Sequence, residues 1–199
     1  DDVWEATGSQ SITYLDRNGH VILREGAQNA PPVDLASLPP YVAQAFVAIE
    51  DRRFYDHFGV DVGGMMRAGA ENLRAGRVVQ GGSTITQQLA KNLFLSSERT
   101  PLRKGQELVL TYALETLLSK QRILEIYLNN VEWGEGVFGA EAAAQHYFRT
   151  SAERLSAWQA ARLAVMLPAP KRFEKRPGSA YVSGRAGTVV ARMSAVEIP

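Results

Sequence analysis

Two glutamates sit in strongly patterned segments on either side of an uncharged loop. Glu50 lies in Ala48-Ile49-Glu50-Asp51-Arg52-Arg53-Phe54-Tyr55-Asp56-His57-Phe58-Gly59-Val60-Asp61. The loop is Gly81-Gly82-Ser83-Thr84-Ile85-Thr86-Gln87-Gln88-Leu89-Ala90-Lys91-Asn92. Glu107 follows in Arg103-Lys104-Gly105-Gln106-Glu107. Carboxylates among cations suit acid/base chemistry on a substrate that itself carries negative charge. Glycosyl transfer from a phosphate-activated sugar is a reaction of that kind.

Each element also has a plainer reading. Glu50, Phe54 and His57 share a face if the helix continues, but Glu50 is equally a helix-end carboxylate paired with Arg53. His57 reads as a structural donor that pins the loop. The loop glycines let backbone N–H groups approach an anion, but the same residues make a polar turn that caps a helix. There is no Gly-Lys-Ser/Thr ending, so it is not a P-loop. Arg103, Lys104 and Glu107 project within about 100° of one another. They form either a structural ion pair or a pyrophosphate-holding cluster.

These residues need helices to position them. Residues 11–25 alternate around Asn18-Gly19 and predict a hairpin. Residues 26–40 read as an extended linker. Pro39-Pro40 open a helix with the stripe Val42, Ala45, Phe46, Ile49, and Glu50 falls at its end. Residues 62–77 predict an amphipathic helix, and Thr84–Leu95 another. Thr100-Pro101 starts a helix to about Leu128. It is apolar nearly all round from Leu108 to Leu118, the pattern of a buried axis. Gly134, Gly136 and Gly139 predict a flexible turn before a helix from Ala140 to Phe148. Ser156-x-x-Gln159 predicts a capping box for a last helix, stopped by Pro168. The expected fold is mostly α with one small β element.

The 199 residues suffice for one well-buried domain of one or two lobes. Net charge is +1, which gives no global field for nucleic acid. The cations are local: Lys91, Arg99, Arg103 and Lys104 in one cluster, Lys171, Arg172, Lys175 and Arg176 in another that reads as solvated surface. The absence of cysteine excludes disulfides, Cys-ligated zinc and thiol catalysis. His20, His57 and His146 lack metal-ligand spacing. No Gly-x-Ser-x-Gly or Ser-x-x-Lys nucleophile motif occurs. No run reaches the roughly 18–20 apolar residues that span a bilayer, and no signal peptide is visible. The chain opens at Asp1 without Met, so it is expected to be a processed or excised piece.

These motifs together resemble the peptidoglycan glycosyltransferase (transglycosylase) domain of glycosyltransferase family 51. That domain occurs in monofunctional transglycosylases and class A penicillin-binding proteins. The resemblance covers roughly residues 38–175. Its first motif resembles Glu50-Asp51-x-x-Phe54-x-x-His57-x-Gly59-x-Asp61, its second residues 81–92, and its third Arg103-Lys104-x-x-Glu107. The fourth resembles Ser119-Lys120-x-x-Ile123-Leu124-Glu125-x-Tyr127-Leu128-Asn129. Gly139-x-Glu141-Ala142-Ala143 and Leu167-Pro168-x-Pro170 fit the remaining pattern. Trp133-Gly134-x-Gly136-x-Phe138-Gly139 is more like the monofunctional enzymes, and the hairpin more like a class A protein.

The resemblance implies a lysozyme-like fold of two lobes. Residues 1–37 would be the hairpin and linker and 38–199 the glycosyltransferase domain, with 62–80 as a membrane-apposed small lobe. It implies polymerisation of lipid II into β-1,4 glycan strands, with inversion at the donor carbon. Glu50 would be the general base and Glu107 a second catalytic carboxylate. Asp51, Ser83, Gln88, Lys91, Arg99, Arg103 and Lys104 would bind substrate. The implied partners are lipid II, the growing glycan strand, the outer face of the bacterial cytoplasmic membrane, moenomycin-type inhibitors and other cell-wall synthesis proteins, but no nucleic acid. No cofactor is required by the sequence, and a divalent cation, Mg2+ or Mn2+, is compatible with it. The rival readings are a lysozyme-like hydrolase of the same polymer and a non-catalytic cell-wall binding module. The cations beside the carboxylates favour transfer, because a hydrolase needs no phosphate site.

Overall fold

The computed structural model describes residues 11–15, 17–18, 21–26, 28–77, 81–95 and 100–199. Arg99, Gly19, Val78 and Val79 lie outside them. Strands β1 (Ser11–Leu15) and β2 (Val21–Gly26) pair antiparallel, as the alternation predicts. The rest is helical, apart from a second small sheet.

The helix starts follow local capping chemistry. Pro40 takes the first position of α1 (Pro40–Glu50), where its missing N–H costs nothing. Asp61 caps α2 (Val62–Ala75) by accepting from the Gly64 N–H, and Gly76 closes it with φ of 63°. Thr84 and Gln87 form a reciprocal capping box on α3 (Ile85–Phe94). Thr100 caps α4 (Pro101–Leu117).

The predicted long helix is two helices. Leu118 is extended, and the Ser119 side chain accepts from the Arg122 N–H to start α5 (Lys120–Asn130). A serine that can cap competes with continuation through the same position. The buried axis is α5, which buries Ile123, Leu124, Ile126, Tyr127 and Leu128. Helix α4 instead turns Glu107, Thr111, Leu114 and Glu115 inward and leaves Leu108, Val109, Tyr112 and Leu117 exposed. Its polar face is the packed one because α3 and α5 present polar partners there. Thr86 Oγ1 donates to Glu115 Oε1 across 2.5 Å, and Lys120 Nζ donates to the same oxygen at 2.7 Å.

The glycine-rich stretch after α5 is a hairpin, not a flexible turn. Strands β4 (Glu132–Gly134) and β5 (Val137–Phe138) pair antiparallel, and β3 (Gln28–Asn29) adds parallel to β5. Residues 28–37 are thereby strapped to the body. The Val33 N–H donates to Asn129 Oδ1 at 2.8 Å, and the Leu35 N–H to Glu125 Oε2 at 2.9 Å. Helix α6 (Ala140–Phe148) forms as expected. The capping box of Ser156 and Gln159 starts α7 (Ala157–Met166). That helix is not the last. A short α8 (Pro170–Phe173) and a longer α9 (Ala180–Met193) follow. Helix α9 buries Val182, Ala186, Val189 and Met193, a helical stripe diluted in sequence by Gly184 and Gly187.

One core joins these elements. Helix α1 packs on α7 and α9, and α3 packs on α4 and α5. Phe46 and Trp133 meet edge-on with ring centroids 5.6 Å apart, and the Trp133 Nε1–H donates to the Leu163 carbonyl. Both rings are fully buried, each worth about 2–3 kcal/mol of burial. Helix α2 contributes little to this core. It buries Ala68 but leaves Val62, Met65, Met66 and Leu73 exposed, Leu73 at 85%.

Candidate active site

The site forms where the end of α1 meets α3. Glu50 is the last residue of α1, and the chain turns away at Asp51. Phe54 and His57 therefore do not share a helical face with it. The pairing with Arg53 does not form either; that guanidinium lies 3.5 Å from Asp61 Oδ1. Instead the Gln88 Nε2–H donates to Glu50 Oε2 at 2.8 Å. Tyr127 on α5 donates its hydroxyl to Gln88 Oε1 at 3.1 Å. Glu50 Oε1 is buried and, among the described residues, meets no hydrogen-bond partner.

That arrangement sets the electrostatics. Burial raises the Glu50 carboxyl above its ordinary value of 4.5, the Gln88 hydrogen bond pulls it back, and the Asp51 charge adds to the rise. Tyr127 is raised well above the ordinary tyrosine value, mainly by burial, then by the charges of Glu50 and Asp51. Its hydroxyl is therefore a lasting donor at neutral pH.

Asp51 is buried and its carboxylate is committed. It accepts from His57 Nε2 at 2.9 Å and from the Ile85 N–H at 3.1 Å, at the start of α3. His57 plays the structural part expected of it, holding Asp51.

The polar loop is largely used by its own fold. Thr84 donates to the Gly59 carbonyl at 2.6 Å, Thr86 bonds Glu115, and Gln87 completes the cap. Ser83 is exposed just before α3, and Lys91 is exposed in its last turn.

The third motif forms the expected cluster on α4. Glu107 is buried between two cations: it bonds Lys104 Nζ and lies 3.5 Å from Arg103 Nη1. The Arg103 Nε and Nη1 atoms are buried without hydrogen-bond partners among the described residues. Lys104 is half exposed and stands at the rim of an open groove of about 520 Å³ between α2 and α4. Val60, Val62, Met65, Met66, Leu108 and Tyr112 line it. It is a mostly apolar trough, to which Gln87 adds an amide and Lys104 a cation.

Two contributors have roles that the sequence pattern does not assign. Tyr127 belongs to the fourth motif, and Lys120 joins Glu115 while its ammonium lies 4.5 Å from the Phe54 ring centre. Their signal was the motif itself, but not its partners. Among the described residues, no group of three or more carboxylate or imidazole side chains is placed to hold a metal ion.

The transglycosylase family model matches residues 18–194. The chain is 58% identical to a biosynthetic peptidoglycan transglycosylase of Burkholderia pseudomallei (strain K96243), over 78% of this chain and 61% of that protein. It is also 58% identical to a protein of the same name from Burkholderia multivorans, over 78% of this chain and 64% of that protein. A third, from Burkholderia cenocepacia (strain HI2424), is 56% identical with the same coverage as the second. The chain thus spans somewhat more than three fifths of the length of these relatives.

Proposed function

Because the chain belongs to the transglycosylase family, we propose that it polymerises lipid II into β-1,4-linked glycan strands with Glu50 as the general base. The observation that carries this reading is the division of labour within one carboxylate. Oε2 is held by Gln88, while the buried Oε1 has no partner and is available to accept a proton. A raised carboxyl also moves the base toward the pH at which it must work.

In the proposed step, Glu50 Oε1 takes the proton of the acceptor 4-hydroxyl. The oxygen attacks the donor anomeric carbon from the face opposite the leaving group. The carbon–oxygen bond to the pyrophosphate breaks, and its electron pair leaves with the lipid pyrophosphate. One bond forms and one breaks at that carbon, and the opposite-face attack inverts its configuration. Lys91, Arg103 and Lys104 would offset the departing charge, with Ser83 as a further donor. Glu107 would hold Lys104 and Arg103 in place for that contact. Arg99 belongs to the same proposal by sequence. No protein cage for Mg2+ or Mn2+ fits the described carboxylates, so such an ion would travel on the substrate's own pyrophosphate.

The apolar groove and the exposed face of α2 support a membrane-bound substrate. A lipid tail stays in its bilayer, and Met65, Met66 and Leu73 with Arg67 and Arg74 suit the headgroup boundary of an anionic membrane. The outer face of the cytoplasmic membrane is the proposed location. No described helix is long and apolar enough to cross a membrane. Moenomycin-type inhibitors would compete for the groove and the cations.

The test is incubation with purified lipid II and sizing of the glycan products, beside the Glu50→Gln variant. Long strands from the wild type and none from the variant are expected. A hydrolase would shorten preformed strands and leave lipid II unpolymerised. Binding of strands with neither reaction would favour a binding module.

A further inference from the structure

We propose that Tyr127 is a positioning residue for Glu50, acting through the side chain of Gln88. This inference rests on the assignment of Glu50 as the base. The three residues come from α5, α3 and α1 and form one chain of hydrogen bonds. Tyr127 donates its hydroxyl to Gln88 Oε1 at 3.1 Å, and Gln88 Nε2 donates to Glu50 Oε2 at 2.8 Å.

A glutamine amide has two ends of nearly equal size, one that donates and one that accepts. Turned the other way, Gln88 would set its carbonyl oxygen against the carboxylate, which repels it. The side chain is also long, and Gln88 is partly exposed, so a single bond would leave it free to swing outward. Tyr127 removes both freedoms. Its ring is buried at 1% exposure among the core side chains of α5, and burial keeps its hydroxyl protonated. A donor fixed in the core holds the carbonyl end of Gln88, and the amide end then faces Glu50. With Oε2 held in this way, the direction of Oε1 is set by the rotation of the carboxylate plane. Tyr127 would thus aim the base without touching substrate.

The titratable groups around Glu50 are Asp51 on its own turn, His57 behind Asp51, and Tyr127 itself. Asp51 and His57 are bonded to each other and to α3, and removal of the Tyr127 hydroxyl leaves those contacts intact.

The experiment is Tyr127→Phe, which removes one oxygen and keeps the ring. Lipid II polymerisation should lose roughly five- to tenfold in kcat, the scale of one ordinary hydrogen bond, with KM unchanged. The acidic limb of the kcat profile should move to higher pH, because Glu50 loses part of the support for its charged form. Carboxyl NMR of Glu50 should show the same upward movement without any substrate. In a Gln88→Met background, Tyr127→Phe should add nothing. An unmoved Glu50 midpoint, or additive effects in the double variant, would overturn the proposal. Should Tyr127→Phe fail to fold, Gln88→Met probes the middle of the chain, and an unmoved Glu50 midpoint there overturns it equally. If the wild type itself makes no polymer, the assignment of Glu50 fails. The NMR midpoint still tests the hydrogen-bond chain.

Discussion

Thr84 donates its hydroxyl to the Gly59 carbonyl across 2.6 Å, fastening the first turn of α3 to the loop that leads away from Glu50. Asp51 makes a second fastening through the Ile85 N–H. Helix α3 in turn carries Gln88, so the geometry at Glu50 depends on this loop.

Gly59→Ala tests that dependence. Gly59 has φ of +78°, and a Cβ there would come within 2.7 Å of Thr111 Cγ2. The left-handed backbone costs alanine about 1–2 kcal/mol, and overpacking costs about 1–3 kcal/mol more. Chemical denaturation should show a loss of about 2–5 kcal/mol. A loss below about 0.5 kcal/mol, the range of ordinary surface substitutions, would mean that the loop is not held as described.

Glu50→Gln should remove activity and stabilise the fold. The folded carboxyl is raised above its ordinary value of 4.5, so its contribution to stability is fully present below that pH. It is lost as pH rises through the raised value. Between mildly acidic and neutral pH the wild type should therefore lose thermal stability relative to the variant. The glutamine carbonyl can still accept from Gln88. Parallel melting temperatures for the two proteins from pH 4 to 8 would contradict the raised carboxyl.

Lys104→Ala and Glu107→Gln should separate function from stability. Lys104 is half exposed, and Arg103 stays beside Glu107 when Lys104 is removed, so the loss should be small, about 1 kcal/mol. Its loss should spare the fold and impair donor use, as should Lys91→Ala. Glu107 is buried with Arg103 beside it, and removing one partner of a buried pair costs about 3–5 kcal/mol. Denaturation midpoints read the difference. A Lys104→Ala variant with unimpaired lipid II turnover would take that cation out of the donor site.

Met65→Asp/Met66→Asp should weaken binding to anionic vesicles. Both side chains are exposed on α2, Met66 at 72%, and both line the apolar groove. Neither packs in the main core, so melting should change little. Co-sedimentation measures the outcome, and equal binding by two folded proteins would exclude this face as the membrane contact.

The sequence by itself determined the features that depend on neighbours a few positions away. Thr84 with Gln87, Ser156 with Gln159, and Thr100 with the Arg103 N–H start their helices through bonds that span at most one turn, so the starts can be read locally. The motifs that mark the family were equally legible, because residue type and spacing define them. Tertiary structure alone decided which faces meet. Helix α4 looked like a buried axis, yet its polar face packs, because Thr86 and Lys120 from two other helices satisfy Glu115. Residues 28–37, part of the expected linker over 26–40, are held by hydrogen bonds to Asn129 and Glu125, ninety or more positions away. Glu50 was visible as a carboxylate, but not as a carboxylate with one oxygen held and the other open. That division comes from Gln88, 38 positions away, and Tyr127, 39 beyond Gln88. A local pattern carries no record of such bonds, since burial and hydrogen bonding exist only between surfaces that the folded chain has brought together.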